Sequence, residues 1–299
     1  MKQLFWIGTI LVLGAGCGKM SITQVPNVKN DQPTVTAARV TRTQTNTVTP
    51  SPIKQEMSLC RFGERQTSSP EIPQNIILPI ITYHQIANLP TNSSANVQSI
   101  TVSPNEFKKQ LSYLAINGYQ TIYFSDLMDF MKKQCLLPTK PVILTFDDGW
   151  VEDYLIAFPE LVANDMVGTF FPPTNWVDHD AKGVISWSQI QEMSLGGMEF
   201  GSHTESHSWL SQLPREEALN ELGNSKALLE QYTGKPVIVV AYPGGSFNSS
   251  VIGLVEETGY LAAVTTIYGV EQNTGELFSL HRVGVHYTDT LEIFASRLK

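Results

Sequence analysis

From residue 76 onward the chain alternates between short apolar runs and longer stretches with helical spacing of apolar and polar positions. Runs rich in Ile, Val, Phe and Tyr predict strands at Ile76–Tyr83, Gln120–Tyr123, Pro141–Phe146, Gly168–Phe171, Met198–Gly201, Val237–Ala241, Leu261–Thr265 and Phe278–Arg282. Helix starts are marked between them. Ser103-Pro104-Asn105-Glu106 offers a capping serine, a proline at the first helical position and a glutamate three residues after the cap. Ser186-Trp187-Ser188-Gln189 repeats the capping logic, and Pro214-Arg215-Glu216-Glu217 opens a polar helix predicted to reach Tyr232. About eight strands alternating with helices predict one α/β barrel-like domain with a parallel sheet over residues 76–299.

The preceding residues do not share this pattern. Residues 1–17 read as an export signal: Lys2 supplies charge, Leu4 to Leu13 the apolar stretch, and Gly14-Ala15-Gly16-Cys17 a small-residue cleavage region. A cysteine directly after small residues predicts a bacterial lipoprotein, anchored to the membrane by lipid on Cys17. Leu13 sits one position further from that cysteine than is usual, so ordinary secretion and an uncleaved anchor are the alternatives. Either way the domain is expected in the envelope or outside the cell. The apolar stretch is too short to predict a transmembrane helix. Residues 18–75 are rich in Thr, Pro, Gln, Asn and Ser, and predict a disordered tether that cannot bury enough apolar surface to offset ordering entropy.

Charge sharpens the division. The chain carries −8 overall, while the leader is +1 and the tether holds seven Lys/Arg against four Asp/Glu, which leaves −12 on the domain. An acidic domain on a weakly basic tether argues against nucleic acid as a partner. Besides Cys17 there are two cysteines, Cys60 and Cys135, which can pair after export.

Polar residues gather at the predicted carboxyl ends of strands, where α/β barrels build active sites. His84 follows the first run, Asp147 and Asp148 the third, His203 and His207 the fifth and Tyr242 the sixth, while Arg282 ends the last. Taken alone, Asp-Asp-Gly reads as a solvated turn and His-x-x-x-His as two surface histidines. Together, one aspartate and two histidines make three protein ligands with positions left for water, the pattern of a catalytic metal. Asp148, His203 and His207 are the candidate ligands, and Asp147 is then left as a base. His179 and His281 have no argument beyond polarity. Trp150, Trp176, Trp187 and Trp209 are candidates to present an aromatic face to a ligand; Trp150, directly after the aspartate motif, is the best placed.

Thr145-Phe146-Asp147-Asp148-Gly149 and Ser202-His203-Thr204-Glu205-Ser206-His207 resemble the first two motifs of the NodB-homology polysaccharide deacetylases, carbohydrate esterase family 4. Val240-Ala241-Tyr242-Pro243-Gly244-Gly245 resembles the third. Ile81-Thr82-Tyr83-His84-Gln85-Ile86 resembles the Tyr-His segment of the poly-N-acetylglucosamine deacetylase branch. The resemblance implies a distorted β/α barrel with fewer strands than the ideal eight, and a divalent metal, zinc first, with cobalt or nickel as alternatives. It also implies removal of N-acetyl groups from hexosamines of a polysaccharide, on whose rings Trp150 first, then Trp176, Trp187 and Trp209, are candidates to stack, with His84 as acid and the backbone N–H of Tyr242 supporting the oxyanion. A histidine that donates a proton is expected to have its pKa raised modestly by a carboxylate neighbour. The third motif lacks the family's usual arginine, and Arg282 is the candidate to orient Asp147 instead; His286 is the second candidate acid. An O-acetyl esterase is the near alternative, and a non-catalytic glycan-binding protein the more distant one.

Overall fold

A computed structural model describes residues 71–179 and 181–299. The predicted export signal, most of the tether, Cys17 and Cys60 lie outside those residues. Cys135 is disulfide-bonded.

Seven parallel strands form the sheet: β1 (Ile80–Tyr83), β2 (Pro141–Asp147), β3 (Thr169–Phe171), β4 (Glu199–Phe200), β5 (Val239–Ala241), β6 (Ala262–Tyr268) and β7 (Leu280–Gly284). Their order is β4-β3-β2-β1-β7-β6-β5. The two ends meet just beyond β4, where Ser202 bridges Val240 of β5. The Ser202 N–H donates to the Val239 carbonyl at 3.0 Å and the Ala241 N–H to the Ser202 carbonyl at 2.9 Å. The ring therefore closes in chain order, through one bridge. Around it lie α1 (Pro104–Ile116), α2 (Phe124–Met131), α3 (Phe158–Ala163), α4 (Trp187–Leu195), α5 (Arg215–Thr233), α6 (Ser249–Glu257) and α7 (Leu291–Ser296). The predicted caps at Ser103 and Ser186 both accept from the backbone three residues on.

Two predicted strands came out differently. Gln120–Thr121 pairs only with Pro141 and Val142 at the start of β2 and stays off the ring, so seven strands close it rather than eight. The run Ile76–Tyr83 divides at Leu78-Pro79: Asn75–Ile77 pairs antiparallel with Glu271–Asn273, a partner strand the apolar pattern does not mark. Proline has no N–H to continue a ladder, which accounts for the break.

The period of two within β2 decides what faces where. Val142, Leu144 and Phe146 pack outward against helix residues such as Phe107 and Leu161, while Ile143 packs inward with Ile80, Phe171, Val239 and Val264. Asp147 shares the inward parity of Ile143 and Thr145. On the outer face Tyr83, Phe146, Phe170 and Phe200 are Cα partners on four successive strands. Their rings form a ladder with centroids 5.3, 4.5 and 5.8 Å apart. This ladder fixes the register that sets His84 beside Asp147.

Candidate active site

β2 delivers both aspartates, because a turn follows at once. Asp148 has φ 75° and Gly149 φ 66°. A Cβ on Gly149 would meet Pro172 Cβ at 2.7 Å, so glycine is required there for space as well as for conformation. Thr204 and His207 also have positive φ, 64° and 63°. Of the five non-glycine residues described with positive φ, three thus lie in the two motifs. Such conformations cost of order 1–3 kcal/mol each and persist where the surroundings impose them, often at active sites.

Asp148, His203 and His207 come together as predicted. The Nε2 atoms of His203 and His207 lie 3.6 and 3.5 Å from Asp148 Oδ1, and all three donor atoms fall within 4.8 Å of one another. Ligand bonds of roughly 2.0–2.2 Å in a tetrahedral site put neighbouring donors about 3.4 Å apart, so this donor set fits a cation such as zinc. His203 is buried and its Nδ1 meets the Ala241 carbonyl at 2.7 Å, which orients the ring and leaves Nε2 towards Asp148. Burial opposes charge on Asp148 and His203, but their mutual hydrogen bond and attraction win: the Asp148 pKa is lowered and the His203 pKa raised. His207 shifts down, through burial and then the neighbouring His203. Its ring packs 5.3 Å from that of Trp176.

Asp147 is held otherwise. Arg282 Nη1 donates to its Oδ1 at 2.9 Å and Nη2 to its Oδ2 at 2.7 Å, a two-bond grip inside the barrel. Arg282 is itself fixed by Nε donating to the Thr265 carbonyl at 2.8 Å. Burial pushes the Asp147 carboxyl up, but Arg282 and the nearby histidines outweigh it and hold the group well below the usual carboxylate range. His84 Nε2 lies 3.9 Å from Asp147 Oδ2 and is outside the metal-binding group. Its pKa is lowered rather than raised: desolvation is the largest cause, and the two aspartates do not overcome it. The expected upward shift is therefore reversed. A cavity of about 360 Å³ opens beside His84 and Arg282, and His286 and Arg297 line it too.

One site assignment changes. The Tyr242 N–H, expected to support an oxyanion, donates to the Val264 carbonyl at 3.2 Å. Its side chain is fully buried, stacked 5.0 Å from Phe247, and its hydroxyl donates to the Phe278 carbonyl. Neither atom group is free for catalysis or substrate. Trp150 directs its indole N–H to Asp148 Oδ2 at 3.3 Å, so it steadies a candidate metal ligand. Trp187 stacks on Tyr232 at 4.0 Å and serves packing.

One buried group has no sequence signal. Asp153, inside a π-helical turn over Asp153–Ala157, is fully buried, and neither carboxyl oxygen has a hydrogen-bond partner among the described residues. Burial first, then Asp148, Glu152 and Asp147, raises its pKa well above the usual range. At the opposite end of the barrel, a cavity of about 370 Å³ is bordered by Glu199, which accepts from the Phe124 and Ser125 N–H groups and from Thr169. These bonds tie β4 and β3 to α2, and they serve the fold.

Residues 137–263 match the family model described as polysaccharide deacetylase. The polysaccharide deacetylase homologue YxkH of Bacillus subtilis is 32% identical over 208 residues, 70% of this chain and 71% of its own length. The chain belongs to the polysaccharide deacetylases. A Bacillus cereus polysaccharide deacetylase of known structure is 33% identical, with a TM-score of 0.66 over 76% of this chain and 71% of that one. The Streptococcus pyogenes deacetylase PplD, solved with acetate, superposes with a TM-score of 0.70 at 27% identity, covering 75% of this chain and 99% of that one. The poly-beta-1,6-N-acetyl-D-glucosamine N-deacetylase of Escherichia coli K12 is 27% identical over 138 residues, which are 42% of this chain and 20% of that protein.

Proposed function

We propose that this polysaccharide deacetylase is a metal-dependent hydrolase that removes N-acetyl groups from hexosamine units of an extracellular or cell-wall polysaccharide. One observation carries the reading: a carboxylate gripped by arginine and a half-buried histidine, 3.9 Å apart, stand beside a cluster of one aspartate and two histidines. Asp148, His203 and His207 would hold the cation. Zinc, or cobalt or nickel in its place, would acidify a bound water and polarise the acetyl carbonyl.

The protein's own groups do the rest. Asp147 accepts the proton that water gives up as its oxygen bonds to the acetyl carbon. Arg282 keeps Asp147 ionised and aimed, at some cost in proton affinity, because a carboxylate well below its usual pKa is a weak base. His84 supplies a proton to the nitrogen as the carbon–nitrogen bond breaks, and acetate and a free amine leave. Burial lowers the His84 pKa, and Asp147, the nearest carboxylate, can pass it the proton taken from water. No step is assigned to Tyr242.

An O-acetyl esterase is the second reading, because the same groups cleave esters. An intact His84 favours amides, whose nitrogen needs a proton to depart. His84→Ala should lose about a hundredfold or more on an N-acetylated oligosaccharide, and less than about tenfold on 4-nitrophenyl acetate. Equal loss on both substrates would make His84 structural and move the acid role to His286. The same proposal keeps the domain in the cell envelope, anchored by lipid at Cys17.

A further inference from the structure

An exposed tryptophan by itself carries no argument, since single apolar residues are common on protein surfaces. Trp209 differs in how it is held. It lies two residues after His207, at most about 7 Å away along the backbone, and 52% of it is exposed. Directly after it Leu210 is buried and starts a short 3₁₀ turn, Leu210–Gln212, which pins the backbone. The indole rests against Gly244 in the loop after β5. A Cβ at Gly244 would meet Trp209 Nε1 at 2.8 Å and Cε2 at 3.0 Å, and the glycine has φ 60°. Ser211 Oγ meets Ser246 Oγ at 2.6 Å and ties the two loops together. One of these loops carries His207. The other follows Ala241, whose carbonyl orients His203. Thus the ring is fixed from below while about half its surface stays open, beside the residues that hold the candidate metal.

We propose that Trp209 is a sugar-stacking shelf that binds a hexosamine ring next to the one being deacetylated, and so selects polymers over single sugars. A rigid aromatic face held in advance covers the apolar C–H face of a pyranose at little ordering cost. Trp187 does not fill this role, because its indole N–H and a ring face are committed within the domain, and Trp150 spends its indole N–H on Asp148. This inference rests on the reading of the substrate as a hexosamine polymer and adds a specificity determinant to it.

The test compares wild type, Trp209→Ala and Trp209→Phe, each reconstituted with zinc, on β-1,6-linked N-acetylglucosamine pentamer, on N-acetylglucosamine and on 4-nitrophenyl acetate. Trp209→Ala should raise KM for the pentamer about tenfold, leave kcat on the ester unchanged, and change little with the single sugar. Trp209→Phe should recover part of the loss. A second arm needs no turnover: tryptophan emission of the chelated protein is titrated with the pentamer. The wild type should show a saturable change that Trp209→Ala lacks. An unchanged pentamer KM, an equal loss on the ester, or the same emission change in both proteins would overturn the shelf. If no acetate is released from any N-acetylated sugar while the emission change still depends on Trp209, the deacetylase reading fails and the shelf stands.

Discussion

Asp147 and Arg282 are 135 residues apart in sequence and share two hydrogen bonds in the barrel interior. Their pairing has a consequence for pH. Asp147 is held below the unfolded carboxylate value of about 3.9, so the stabilisation it confers is complete above that value and drains away as pH falls towards the folded one. Arg282→Met should cost about 3–5 kcal/mol at neutral pH, because it leaves a buried charge unpaired. Adding Asp147→Asn should restore most of that stability and flatten the acid limb. Urea unfolding at several pH values between 7 and 3 checks both expectations, and an acid limb equally steep in the double variant would contradict them. The two motifs that supply Asp148, His203 and His207 were legible because their ligands are close in sequence and end apolar runs. Arg282 was legible only as a candidate, since nothing local says which carboxylate a distant arginine will meet. The downward shift of His84 was not legible, because burial outweighs its carboxylate neighbours and burial is a property of the closed barrel.

Among the elements, β1 to β4 owe their register to the stacked rings of Tyr83, Phe146, Phe170 and Phe200 on the outer face. Phe170 is fully buried at the centre of that ladder. Phe170→Ala should cost about 3–5 kcal/mol and weaken zinc binding, since β2 and β4 lead into the two ligand-bearing turns. Unfolding with and without zinc measures both effects, and a stability loss with unaltered zinc affinity would separate the ladder from the site. Apolar runs marked β2 and β3 well, because strands covered on both faces read as continuous hydrophobic sequence. The same signal overstated Gln120–Tyr123, where only two residues find a partner, and ran through Pro79, where the ladder stops. Tyr242 was misjudged for a related reason. Sequence placed it at a strand end, but pairing of β5 with β6 decides whether its N–H is free, and that N–H is spent on Val264.

For the whole molecule, the chain-ordered ring gathers every proposed functional group at one end, with the acid, the base and the ligands on β1, β2 and the segment after β4. The location of that domain follows from residues outside the described structure: Cys17→Ser should move the protein from the membrane fraction to the soluble one, and unchanged membrane association with residues 1–16 retained would point to an uncleaved anchor. Free acetate measures the proposed reaction directly. The zinc-reconstituted protein is offered matched N-acetylated and O-acetylated oligosaccharides, with a chelated sample alongside. Acetate is expected from the N-acetylated hexosamine oligomers, abolished by chelation and restored by zinc or cobalt. Acetate from the O-acetylated sugars alone, or release that survives chelation, would contradict it.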